Sequence, residues 1–95
     1  MAFWVYLLRC ADGSYYTGHS DDLERRIGQH NAGAIPGYTL DRLPVKLAWC
    51  EQFESRYEAL TRERQIKGWS RAKKEALIAG DWERISVLSR SRTQK

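Results

Sequence analysis

A chain of 95 residues with 16 Lys and Arg against 12 Asp and Glu makes one small domain with a single modest core and a net charge of +4. Four Trp, five Tyr and two Phe are generous for that size and exclude a disordered chain, and no apolar run approaches the length of a membrane span. The basic balance is a modest pointer to a polyanionic partner, DNA or another nucleic acid, with a monomer as the default state.

The apolar N-terminus MAFWVYLLRC has neither a basic leader nor a small-residue cleavage site, so it reads as a strand over residues 3–10 and not as a signal peptide. Its continuous apolar run suits a central strand covered on both faces. Cys10 and Cys50 have no metal-type spacing and fit a reduced, cytoplasmic setting with both thiols in the core.

Ala11-Asp12-Gly13-Ser14 is a turn into a second strand, Tyr15-Tyr16-Thr17-Gly18. Two registers are open. A two-residue Asp12-Gly13 loop puts Tyr6 and Tyr16 on opposite faces of the hairpin. A three-residue loop, with Gly13 left-handed in a bulge, pairs Cys10 with Ser14, sets Tyr6 opposite Gly18 and gives the tyrosines a shared face. Gly18 then leaves room beside the Tyr6 ring.

Ser20-Asp21-Asp22 starts a helix that runs to about Asn31, with Asn31-Ala32-Gly33 as its stop. Its apolar stripe is Leu23 and Ile27, and Arg26 and His30 fall on the same side while Glu24 and Arg25 lie off it. A charged group on a core-facing stripe needs partners or a job. Residues 32–44 hold both prolines and two glycines and form a long loop. Tyr38 and Arg42 make it a substrate-contacting flap, with a plain connector as the alternative.

Residues 45–53 read as a third strand. Ser55-x-x-Glu58 is a capping box for a helix to Gly68, with Ala59, Leu60 and Ile66 on its stripe and Glu63 in the middle of that apolar face. Ser70 caps a helix over 71–79 that Gly80 closes, and Asp81 caps a short last turn from which Trp82 and Ile85 pack back. The domain spans 1–88, and 89–95, SRSRTQK, is a basic, frayed tail. Lys67, Lys73, Lys74 and Arg71 are either a solvated basic face or a track for a phosphate backbone.

Tyr6, Tyr16, Arg26, His30 and Glu63 break the core pattern. Together they suffice for metal-assisted phosphodiester cleavage. One carboxylate can hold Mg²⁺, an arginine can grip a phosphate bidentately, and a phenol can relay a proton when nearby cations lower its pKa. Arg26 and Glu63 as a plain buried pair are the alternative.

The spaced set resembles the GIY-YIG endonuclease superfamily, and within it the small stand-alone, YhbQ-like (UPF0213-type) bacterial proteins. The first triplet corresponds to Trp4-Val5-Tyr6 and the second to Tyr16-Thr17-Gly18. The helix arginine falls on Arg26, the histidine one turn later on His30, and the metal-binding glutamate on Glu63; the likeness spans residues 3–79. It implies an α+β fold, a three-stranded antiparallel sheet flanked by helices in the order β-β-α-β-α-α. It also implies hydrolysis of a nucleic-acid phosphodiester with Mg²⁺ or Mn²⁺ on Glu63, Tyr16 or Tyr6 taking or orienting the water proton, and Arg26 on the scissile phosphate. His19 matches a lysine of the repair-nuclease branch and would tune a tyrosine. With Tyr38, Arg42, Lys67, Lys73 and Lys74 it makes up the expected nucleic-acid contacts. Trp4 stands at the family's glycine, Thr17 at its usual Ile or Val, and its late asparagine has no counterpart, since the one asparagine is Asn31. A nucleic-acid-binding module without catalysis is therefore the second reading.

Overall fold

The computed structural model describes residues 2–93. Strands β1 (Phe3–Arg9), β2 (Tyr15–Ser20) and β3 (Lys46–Phe53) form one antiparallel sheet in the order β2-β1-β3. Helices α1 (Leu23–Asn31), α2 (Arg56–Lys67), α3 (Arg71–Ala79) and α4 (Trp82–Thr93) complete the chain, with a 3₁₀ turn at Leu40–Arg42.

The central strand explains the layering. Val5, Tyr6, Leu7 and Leu8 are all buried, two to each face of β1. Tyr6, Leu8, Cys10 and Val45 pack with Leu23 and Ile27 of α1 on one face. Val5 and Leu7 pack with Ala59 and Ile66 of α2, Ala76 and Leu77 of α3 and Ile85 of α4 on the other. The result is a sheet between one helix and three, an α+β sandwich.

Each of the first three helices opens with a cap that the sequence announces. Asp22 accepts from the Arg25 amide, Ser55 from the Glu58 amide and Ser70 from the Lys73 amide, which satisfies one otherwise orphaned donor each. The last element differs from expectation. Asp81 accepts from the Arg84 amide at 3.0 Å, but it starts a twelve-residue helix that occupies 82–93, where a short turn and then a tail from 89 were expected. Ile85 packs back as expected, whereas Trp82 stays exposed. The end of the expected tail, residues 94 and 95, lies outside the described residues.

The hairpin takes the three-residue loop. Cys10 N–H donates to the Ser14 carbonyl at 2.8 Å, Gly13 N–H to the Cys10 carbonyl at 2.9 Å, and Gly13 has φ 85°. Only glycine adopts that left-handed geometry without strain. The register that follows sets Tyr6 against Gly18 and Leu8 against Tyr16, so both tyrosines share the α1 face. A Cβ at Gly18 would lie 2.6 Å from the Tyr6 hydroxyl oxygen and 2.7 Å from the ring carbon bearing it.

Adjacent positions on β2 should therefore respond in opposite directions. Gly18→Ala forces the Tyr6 ring off its seat and should cost about 1–3 kcal/mol. Thr17→Val should stabilise by about 1 kcal/mol, because the buried Thr17 hydroxyl has no partner and valine removes it. Denaturant unfolding of both variants measures this; a Gly18→Ala midpoint equal to that of the parent would refute the packing argument.

Candidate active site

The tyrosine face is organised by a buried histidine. His30 closes α1 on the core-facing stripe and is 1% exposed. Its Nε2 lies 3.2 Å from the Tyr6 hydroxyl and its Nδ1 2.8 Å from the Thr39 hydroxyl. The Tyr16 ring meets the His30 ring edge-on, centroids 5.2 Å apart. Burial, and secondarily the Arg26 charge, hold the His30 pKa below its ordinary value of 6.5, so the ring is neutral at pH 7. A neutral imidazole has one N–H, so the Thr39–His30–Tyr6 chain has a direction. With Nδ1–H donating to Thr39, the Tyr6 hydroxyl donates to Nε2 and its oxygen stays free to accept.

The second half of the site comes from the other face of the sheet. Strand β2 runs past the expected Gly18 to Ser20, so His19 belongs to it, and it pairs with Val5 and so faces α2. There its Nδ1 lies 2.9 Å from Oε1 of Glu63. The second carboxylate oxygen, Oε2, is 3.3 Å from Nζ of Lys67, one turn on along α2. Glu63 is thus a nearly buried carboxylate claimed on both oxygens.

The two halves lie on opposite faces of the edge strand β2. The Tyr6 phenol registers all of them. Burial raises its pKa from 10.0 to about 12, and the charges of Tyr16 and Glu63 push the same way, while the Arg26 guanidinium, within hydrogen-bonding reach, opposes them. The expectation that neighbouring cations lower a tyrosine pKa is reversed here for Tyr6: desolvation outweighs the single arginine. Arg26 keeps a buried Nε with no hydrogen-bond partner.

The loop over residues 32–44 is built into the site. Tyr38 stacks on Tyr16 at 6.3 Å with planes 22° apart, and the Arg42 guanidinium lies 3.9 Å from the Tyr38 ring centroid. Arg42 also donates to Asp12 at 3.0 Å and to the Tyr38 carbonyl at 2.7 Å. Arg42 is therefore a strut that ties the flap to the hairpin turn, and Tyr38, partly exposed, is the residue a ligand can touch. Thr39 was missed by sequence reasoning; a threonine in an aperiodic loop gives no signal until the flap folds onto α1.

The basic residues separate. Lys67 is on Glu63, as above. Lys73 is buried, with its ammonium 4.4 Å from the Trp69 ring centroid, so it belongs to no solvated face. Lys74, on the same helix, has its ammonium pKa lowered by desolvation. Cys10 is buried as expected, but Cys50 is only partly so. Asn31 clamps both backbone groups of Val45, accepting from its N–H at 2.7 Å and donating to its carbonyl at 3.0 Å, and so is a structural residue.

Among the described residues no group of three or more His, Cys, Asp or Glu side chains comes together to cage a metal. One carboxylate remains, Glu63, beside the Tyr6 and Arg26 groups. That donor set fits a hard, water-rich cation such as Mg²⁺, which is commonly held by one or two carboxylates and completed by water and phosphate oxygens. It does not fit an all-protein metal cage.

A GIY-YIG catalytic domain model matches residues 2–76. A UPF0213 protein of Halobacterium salinarum is 52% identical over 74 residues, 78% of this chain and 96% of that protein. One from Staphylococcus saprophyticus is 47% identical over 76 residues, 80% of this chain and 93% of that protein. Two solution NMR structures share the fold. The UPF0213 protein of Bacillus halodurans has a TM-score of 0.55 at 43% identity, covering 83% of this chain and 84% of that one. A protein of E. faecalis has a TM-score of 0.59 at 37% identity, covering 84% and 85%.

The buried histidine has a consequence for stability. Its folded pKa lies below the unfolded value of 6.5, so the unfolded state binds more protons as pH falls. The stabilising contribution is complete above pH 6.5 and is lost as pH falls from there through the folded pKa. Urea midpoints should decline over that window in the parent and flatten in His30→Gln. A parallel decline in both proteins would reject the assignment. Asp12, whose carboxyl pKa is lowered chiefly by the Ser14 hydroxyl, acts below its ordinary value of 3.8 and so in a separate window.

Proposed function

The chain belongs to the GIY-YIG catalytic domain family, and from that premise we propose that it is a nuclease that hydrolyses phosphodiester bonds in DNA, including branched or damaged forms, with Mg²⁺ or Mn²⁺ at Glu63. The observation that carries this reading is the convergence on one hydroxyl. Tyr6 Oη is hydrogen-bonded to His30 and feels the charges of Arg26 and Glu63 at once.

The chemistry follows from proton positions. A phenol with a pKa near 12 is protonated at pH 7 and is no standing base. It works as a shuttle: its oxygen takes the proton of the attacking water as its own proton passes to Nε2 of His30. The imidazolium so formed is disfavoured by burial and by Arg26, so the proton is held only briefly. Arg26, with its unpartnered Nε, binds the scissile phosphate and balances the charge that grows on its oxygens. Tyr16 and Tyr38 wall the site and offer a stacking surface to a splayed base. The cation, when bound, supplies further positive charge to the phosphoryl group.

One observation favours a binding module without catalysis. Glu63 already bonds His19 through one oxygen and Lys67 through the other, and Asn31 is committed to Val45, so no asparagine assists. A single assay set separates the readings. Branched, nicked and duplex DNA incubated with Mg²⁺ or Mn²⁺ should be cleaved. Glu63→Gln should abolish turnover, and Tyr6→Phe should lower it about 10²–10⁴-fold, the usual worth of positioned proton transfer. Both variants should still bind DNA. Cleavage undiminished in Glu63→Gln rejects the nuclease assignment, and binding without turnover under either metal selects the module.

A further inference from the structure

We infer a second phosphate-binding position, formed by Arg56 with Arg26 in a cavity beside the candidate active site, that takes a backbone phosphate neighbouring the scissile one. The inference rests on the nucleic-acid reading above for the identity of its ligand. The cavity measures about 230 Å³ and is lined by His19, Ser20, Asp21, Arg26 and Arg56. It lies at the edge of β2, where the α1 and α2 sides of the sheet meet.

Three features give it a polyanion's chemistry. First, two guanidinium groups from different helices line it. Arg26 comes from the core-facing stripe of α1, and Arg56 is the first residue of α2. Second, neither has a carboxylate within ion-pair distance among the described residues, and the Arg26 Nε is buried with no partner. A buried donor left unmet is destabilising, and a phosphate oxygen would satisfy it. Third, Arg56 is held in place without being neutralised, since its guanidinium lies over the Phe3 ring, 5.1 Å from the centroid. Cation–π packing fixes the side chain and leaves its N–H fork free for bidentate contact. Ser20 adds a hydroxyl, although its Oγ already bonds the Asp22 backbone.

Asp21 is the opposing group. It is exposed and lines the same cavity. Two arginines against one aspartate leave the site net positive, and the carboxylate weakens anion binding there. Arg26 reaches the Tyr6 hydroxyl on one side and this cavity on the other, so a strand whose scissile phosphate sits at Arg26 carries its neighbouring phosphate toward Arg56. Arg56 thereby fixes the direction in which the backbone crosses the β2 edge.

The test uses the full chain without divalent metal, so that binding is read apart from turnover. Binding of a fluorescein-labelled branched DNA is measured across a salt series for the parent, Arg56→Gln, Arg56→Lys and Asp21→Asn, with circular dichroism confirming the fold of each. Arg56→Gln should weaken binding severalfold at low salt and reduce the slope of log K against log[salt] by about 0.9, one phosphate contact. Arg56→Lys should keep the slope, and Asp21→Asn should tighten binding. Inorganic phosphate titrated into the isotope-labelled parent should shift the amide resonances of Ser20, Arg26 and Arg56. Parent-like affinity and slope in Arg56→Gln overturn the second phosphate position while the nuclease reading stands. Phosphate shifts at the cavity with no DNA binding at low salt uphold an anion site and overturn the nucleic-acid reading. No phosphate shifts and no DNA binding overturn both.

Discussion

The contact on which the site depends is the Tyr6 ring lying across the bare backbone of Gly18. The two are partners on neighbouring strands, and any side chain at 18 would begin inside the tyrosine. The space a side chain would take at 18, on the α1 face of the edge strand β2, is filled by the Tyr6 phenol. Tyr6, Tyr16 and His30 approach from the α1 side and His19 and Glu63 from the α2 side. The Ala11-Asp12-Gly13 loop is the upstream condition, since a loop one residue shorter would turn Tyr16 to the far face.

The electrostatics of the site are those of a carboxylate held in reserve. An unpaired charge as buried as Glu63 would cost several kcal/mol, and His19 and Lys67 offset that cost. Both partners are replaceable in kind. A divalent cation approaching Glu63 brings positive charge of the kind that Lys67 now supplies, and Lys67, half exposed one turn along the helix, can swing to solvent. Lys67, expected as a phosphate contact, is found on Glu63. Tyr6 experiences the same exchange, because Glu63 is one of the charges that raise its pKa.

Much of this was legible in the sequence, for identifiable reasons. The strands and the first three helices announced themselves through a continuous apolar run, a turn glycine and caps at Asp22, Ser55 and Ser70, all local signals. Helical phase singled out Arg26 over Arg25 and set Glu63 on a buried stripe. Less visible were features that exist only after docking. His19 reads as a residue leading into a turn until β2 extends to Ser20 and α2 covers that face. Helix α4 lacks a clear apolar stripe, with Ile85 packing inward while Trp82 and Val87 stay exposed, so its length was underestimated. Arg56, an exposed residue in a first helical turn, carried no pattern at all.

The flap shows how a long loop becomes part of the chemistry without regular structure. Arg42 bonds Asp12 and the Tyr38 carbonyl, and the Arg42 carbonyl accepts from the Ala11 amide at 2.9 Å, so the flap and the hairpin turn hold each other. With the flap in that position Thr39 reaches His30, and Tyr38 stacks on Tyr16. The same turn that sets the strand register therefore also anchors the loop that orients the histidine. Register, tautomer and stacking surface share one anchor at residues 11–13, some distance along the hairpin from the hydroxyl they serve. A short sheet with a single buried histidine can in this way hold the Thr39–His30–Tyr6 hydrogen bonds in one arrangement, while the buried Arg26 Nε is left without a partner.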